Sequence, residues 1–169
     1  MWSYAFYKLV NYLIKRKYEV SINKHVFFIE LFIEMYSLID KNLFFMLFFT
    51  ILLLQSITDF INNDVYTILN TAIIIIGLIF KNINYNEILL SMLLPLLLWI
   101  INIFKKGIGD GDIEMIFALC FIYNTMQLSK IILFSSIMNL IYSFVIKKDK
   151  YSFIPFIFLS CLLLELFNA

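Results

Sequence analysis

The sequence predicts an all-α fold, a polytopic membrane helix bundle of about six to seven transmembrane helices with a cytoplasmic N-terminus. Three observations predict it. Of 169 residues 63% are hydrophobic and 15% charged, with mean hydropathy +0.93, against roughly 45–50% apolar and about 25% charged in soluble domains. The apolar residues fall into runs with short polar punctuation, and Ile, Leu and Phe fill those runs on all sides. Helices that face lipid on one side and protein on the other read this way. The 13 Lys and Arg residues, finally, divide unequally between the two ends of the runs.

The chain opens with a basic segment, residues 1–25, distinct from the membrane domain expected over 26–169. Trp2 to Ile14 is too short to span and carries Lys8 and Asn11. Followed by Lys15, Arg16 and Lys17, it suggests a helix lying in the cytoplasmic interface. Helices are then expected over 26–39, 43–60, 66–80, 87–104, 113–124, 127–146 and 151–168. A bilayer core of about 30 Å needs about 20 residues. The runs 26–39, 66–80 and 113–124 are shorter, so they borrow flanking residues or do not fully cross. Pro95 should kink the 87–104 helix.

If seven helices alternate from a cytoplasmic N-terminus, the inside segments hold Lys8, Lys15, Arg16, Lys17, Lys24, Lys105, Lys106, Lys147, Lys148 and Lys150. The outside segments hold Lys41, Lys81 and Lys130. That bias sets the orientation. A net charge of +1 excludes a basic field for nucleic acid. Cys120, Cys161 and His25 supply neither a zinc framework nor a disulfide scaffold, so no metal site is expected.

Charges in or against a membrane are costly, and two places concentrate them. The 43–60 helix ends in Ser56-Ile57-Thr58-Asp59-Phe60. The 87–104 and 113–124 helices are joined by Lys105-Lys106-Gly107-Ile108-Gly109-Asp110-Gly111-Asp112-Ile113-Glu114, with three of the four glycines. Glycine permits positive φ and close backbone approach, and this loop delivers a carboxylate to a helix start. The topology puts Asp59 and Asp112 on one face. Two carboxylates brought together near low dielectric cannot both ionise easily. One can then activate water while the other protonates or hydrogen-bonds a scissile carbonyl. No Ser–His or Cys–His pair competes.

These residues resemble the bacterial type IV prepilin peptidases, membrane aspartyl proteases marked by a Gly-x-Gly-Asp motif. Here the motif reads Gly109-Asp110-Gly111-Asp112, preceded by Gly107. Asp59 with Val65-Tyr66-Thr67 looks like the family's first aspartate segment, Ile29-Glu30-Leu31 like its Ile-Glu-Leu step, and Phe153-Ile154-Pro155-Phe156 like its late Pro-Phe segment. The resemblance implies Asp59 and Asp112 as the catalytic pair and Gly107, Gly109 and Gly111 as shapers of the loop. Glu114 and Glu30 are implied modulators, and no cofactor is implied. It implies leader-peptide cleavage of a pilin-like precursor with a hydrophobic N-terminal helix, at the cytoplasmic face of the bacterial inner membrane.

Departures from the family are instructive. Arg16 to Ile29 is too short for the family's cysteine-rich zinc-binding insert, so methyltransferase activity is not expected. Tyr66 stands where the family has proline, and Glu114 where it has lysine. If Glu114 faced Asp112, like-charge repulsion would raise the aspartate's pKa. Asp110 reads as solvated loop, Cys120 and Cys161 as small core residues, and Glu165 as reaching the interface. Tyr66 and Glu114 favour the rival readings, a non-catalytic membrane scaffold or a small transporter subunit.

Overall fold

The computed structural model describes residues 29–33, 43–82, 84–105, 108–146 and 151–168, with single positions at 4, 5, 8, 11, 12 and 15. Among the described residues every regular element is a helix. We label them α1 (Leu43–Asn62), α2 (Thr67–Phe80), α3 (Tyr85–Ser91), α4 (Leu93–Lys105), α5 (Asp110–Leu119), α6 (Thr125–Val145) and α7 (Ile154–Asn168). Of the expected 26–39 helix, residues 29–33 are described and helical; the expected domain boundary at residue 25 lies outside the described residues. The chain divides into two compact units, 1–54 and 55–169, the division falling inside α1.

In the first unit the early half of α1 is an aromatic ladder. Phe44 stacks on Phe48, and Phe49 meets Phe45 and Phe48, with ring centroids 4.4 to 5.6 Å apart. Glu30 is fully buried, and its Oε1 accepts a hydrogen bond from Thr50 Oγ1 at 2.9 Å. Near the N-terminus Lys8 Nζ stands 4.8 Å above the Tyr4 ring, the one-turn spacing of a helix.

In the second unit α6 lies along α7, α2 along α5, and α3 against α6. Ser135, Ser160 and Cys161 are buried. Small residues of this kind let membrane helices approach closely. Gly77 of α2 is the tightest approach, since a Cβ there would stand 2.4 Å from the Phe121 carbonyl oxygen. Cys120 and Cys161 are free and buried, as core residues should be.

The 87–104 run is two helices, α3 and α4, meeting at Met92, and Pro95 is the cause. Its ring presses on the carbonyl four residues back, that of Ser91, and it has no N–H to offer that oxygen. The Ser91 hydroxyl turns onto the Glu87 and Ile88 carbonyls, at 2.6 and 3.2 Å. Taken together Tyr85–Phe104 is still long and apolar enough to cross a membrane, as are Leu43–Asn62 and Thr125–Val145. The second and third of these, α3–α4 and α6, carry their apolar residues outward: Phe104 is 82% and Phe144 79% exposed. Exposed apolar surface on this scale suits lipid rather than water.

The segment expected as a helix over 113–124 begins earlier and ends sooner, at Asp110 and Leu119. Gly109 stands at its N-cap and Asp110 and Asp112 occupy the first turn, where the helix dipole favours acidic groups. It stops because the chain turns through 120–123 into a capping box, in which Asn124 and Gln127 exchange side-chain and backbone bonds. Ten residues rise only about 15 Å, half a bilayer core.

Candidate active site

The last turn of α1 carries Asp59, buried at 4% exposure. The helix ends just beyond it because Asn63 adopts a left-handed φ of 55°, a conformation asparagine tolerates better than most residues. Two groups from the start of α7 hold Asp59. The Ile154 N–H donates to its Oδ2 at 3.0 Å, and the Ser152 hydroxyl donates to its backbone oxygen at 3.0 Å. The Phe153-Ile154-Pro155-Phe156 segment thus gives Asp59 the N-terminus of a helix, where backbone N–H groups meet a carboxylate favourably.

Asp112 comes from the other direction, in the first turn of α5, and lines the same cleft as Asp59. The cleft encloses about 860 Å³, and Asn63, Val65, Gly109, Asp110, Gly111, Ser136, Asn139 and Tyr151 also line it. Asp112 stands outside the membrane-spanning segments, and its carboxyl is pushed up from 3.8 to about 7. Burial is the main cause and the Asp59 charge the second, with a backbone bond to Gly109 working the other way. An acid held near neutrality beside a second acid can keep its proton while the other ionises.

The glycines act by space. Among the described residues no glycine has a positive φ, so Gly109 and Gly111 do not use the conformational freedom expected of this loop. At Gly111 a Cβ would stand 2.6 Å from Val65 Cβ and Cγ2, so only glycine lets α5 close on the segment after α1. At Gly109 a Cβ would approach Asp112 Oδ2 to 3.1 Å. Gly107 lies outside the described residues.

Glu114 turns elsewhere. Its Oε2 accepts from Thr67 Oγ1 at 2.9 Å and from Asn70 Nδ2 at 3.4 Å, and residues two apart on a helix do not share a face. Gln55 Nε2 extends the chain by donating to Asn70 Oδ1 at 2.8 Å and to the Tyr66 carbonyl at 3.1 Å. This network ties α5 to α2 and to the late half of α1. Asp110, read from the sequence as solvated, is exposed but engaged: Asn102 Nδ2 donates to its Oδ1 at 3.0 Å, and Asn102 Oδ1 accepts from the Ile108 N–H at 3.1 Å. Asn102 therefore pins both ends of the 108–110 turn. Glu30 belongs to the first unit, bonded to Thr50.

Asn102, Asn70, Ser152, Ser136 and Asn139 escaped the sequence reading. A signal was present for the asparagines: a lone amide in an apolar helix is expensive in lipid and implies a partner or a task.

A family model described as the type IV leader peptidase family matches residues 46–144, a span that begins in α1, ends in α6 and includes Asp59 and Asp112. No curated protein matches the chain, and no solved structure does.

Proposed function

The chain belongs to the type IV leader peptidase family, and from that premise we propose that it is an aspartic endopeptidase of the bacterial cytoplasmic membrane. It crosses the membrane several times with its N-terminus inside. It removes the leader of a type IV pilin-like precursor at the cytoplasmic face. The observation that carries this reading is the pair itself: Asp59 and Asp112, on separate helices, line one cleft and interact by charge.

In this mechanism Asp112, with its pKa near 7, holds the proton. Asp59, receiving the Ile154 N–H, is the carboxylate. A water between them gives a proton to Asp59 and its oxygen to the scissile carbonyl carbon, while Asp112 protonates the carbonyl oxygen. Collapse of the tetrahedral intermediate breaks the C–N bond. The new amine takes the proton from Asp59, and Asp112 recovers its own from the intermediate's hydroxyl. Such acid–base pairs contribute through matched protonation states. The substrate's hydrophobic helix lies in the bilayer beside the enzyme, and its leader, ending in glycine, enters the cleft. No cofactor takes part. Residues 17–28 hold no cysteine, in keeping with a peptidase that does not methylate its product.

Co-expression with pilin-like precursors of the same genome tests the reading, the leader being followed by gel shift and mass spectrometry. Cleavage after a glycine that Asp59→Asn and Asp112→Asn each abolish is the expected result. Cleavage surviving either substitution breaks the two-aspartate mechanism. No cleavage by well-folded, membrane-inserted protein overturns the assignment.

A further inference from the structure

Three helices of the second unit each carry one asparagine inside an apolar run: Asn70 in α2, Asn102 in α4 and Asn139 in α6. A buried amide is costly unless it finds partners. Asn70 is answered by Gln55 and Glu114, and Asn102 by Asp110 and Ile108. Asn139 is not answered. Its Oδ1 is buried and meets no hydrogen-bond partner among the described residues, and Asn139 lines the cleft that holds Asp59 and Asp112.

Ser136, one turn earlier, lines the same cleft. The other serines of α6 satisfy themselves on their own helix: Ser129 bonds the Thr125 carbonyl, Ser135 the Ile131 carbonyl and Ser143 the Leu140 carbonyl. Among the described residues Ser136 makes no such bond. Ile132, Ser136 and Asn139, at i, i+4 and i+7, are the face that α6 gives to the cleft.

We propose that Asn139, with Ser136 beside it, positions the substrate by hydrogen-bonding the main chain of the peptide laid in the cleft. The proposal rests on the leader peptidase reading and adds to it the group that holds the backbone. A carboxamide offers acceptor and donors together, the complement of a peptide group's own C=O and N–H. The two positions are separated by about 4.5 Å of helix rise, between one and two residues of extended chain at about 3.3 Å each. A hold on the main chain leaves both carboxyls free for the reaction. The unmet acceptor is a standing cost to the fold, and turning the carboxamide toward a bound peptide relieves it.

The test uses the full-length enzyme in nanodiscs and a synthetic pilin-like precursor peptide. Asn139→Leu should melt at a higher temperature than wild type, because an unsatisfied buried acceptor is removed, and yet raise KM about 3- to 10-fold with kcat within about twofold. Asn139→Gln should recover part of the KM, and Ser136→Ala should raise it less than Asn139→Leu. Replacing single peptide links of the substrate by esters removes one N–H at a time. At the contacted position the ester should cost wild type severalfold in kcat/KM and cost Asn139→Leu nothing further. A lower melting temperature with unchanged KM, or full ester penalties at every position in Asn139→Leu, would overturn the proposal. So would a loss confined to kcat.

Failure of the peptidase reading is read separately. A benzoylphenylalanine-bearing precursor peptide is photo-cross-linked to the Asp112→Asn enzyme, where no cleavage is needed. Weaker cross-linking when Asn139→Leu is added supports main-chain capture even if wild type cleaves nothing; equal cross-linking removes it.

Discussion

Burial and the Asp59 charge keep the Asp112 carboxyl protonated up to about pH 7, and two measurable consequences follow from the sign of that shift. The folded pKa lies above the ordinary 3.8, so the native state holds an extra proton between about pH 4 and 7. Stability is therefore full below that window and declines as pH rises through it. Asp112→Asn should raise the thermal midpoint at pH 8 and change it little at pH 4; equal gains at both would refute the shift. Leader cleavage should fall on the alkaline side with a midpoint near pH 7, as the proton donor is lost. At Gly111 the argument is steric. Gly111→Ala would drive a methyl into Val65, and overpacking of this kind costs about 1–3 kcal/mol. Cleavage should drop severalfold, and Val65→Gly in the same chain, which removes both the Cβ and the Cγ2 that the methyl would meet, should restore part of it. A double variant no better than Gly111→Ala would show that the contact is not the cause.

At the scale of elements, polar side chains decide where α5 sits. Glu114 accepts from Thr67 and Asn70, and a lysine in its place would remove the acceptor that both groups meet. Glu114→Lys should destabilise the protein by about 0.5–1.5 kcal/mol, the net worth of a hydrogen bond, while Glu114→Gln keeps an acceptor and loses less. Urea or thermal unfolding in detergent separates the two, and a Glu114→Lys protein as stable as wild type would show the network to be idle. Gly77 sets the α2 contact in the same way. Gly77→Ala meets a backbone carbonyl at 2.4 Å, which cannot rotate aside as a side chain can. Its loss of thermal stability should exceed that of Gly109→Ala, whose nearest neighbour is the movable Asp112 carboxyl.

Across the second unit, the bonds sort the helix ends into two groups. The end of α1 meets the start of α7 at Asp59 and Ile154. The opposite end of α7 meets the end of α2, where Lys81 Nζ and Glu165 Oε1 are 3.7 Å apart. Glu165, expected from the sequence to reach the interface, is paired with that lysine. In the proposed topology, which the lysine asymmetry in the sequence supports, the Asp59 end is cytoplasmic. A single cysteine at Asp64 should then react with an impermeant maleimide only after the membrane is opened, and one at Lys81 in intact cells. The reverse pattern would invert the topology. Native Cys120 and Cys161 are buried and should stay silent.

Composition and apolar run length alone determined an all-helical membrane protein, because a chain this apolar can satisfy its backbone in lipid only by internal hydrogen bonds. The helices over 43–60 and 127–146 were legible to within two residues for the same reason: long apolar runs with polar stops leave few alternatives. Asp59 and the Gly107–Asp112 stretch were legible as anomalies, since charge and glycine stand out against Ile, Leu and Phe. The tertiary structure decided what those anomalies meet. That Ile154 faces Asp59, that Val65 dictates Gly111, that Glu114 turns to α2 rather than to Asp112, and that Asn139 reaches the cleft are all contacts between residues distant in sequence. Periodicity records which face of a helix is apolar; it carries no information about which neighbour covers that face. The length of α5 was lost for a related reason. Its apolar residues continue past Leu119, but Asn124 and Gln127 cap the next helix, and the turn into that cap ends α5 before the apolar pattern does.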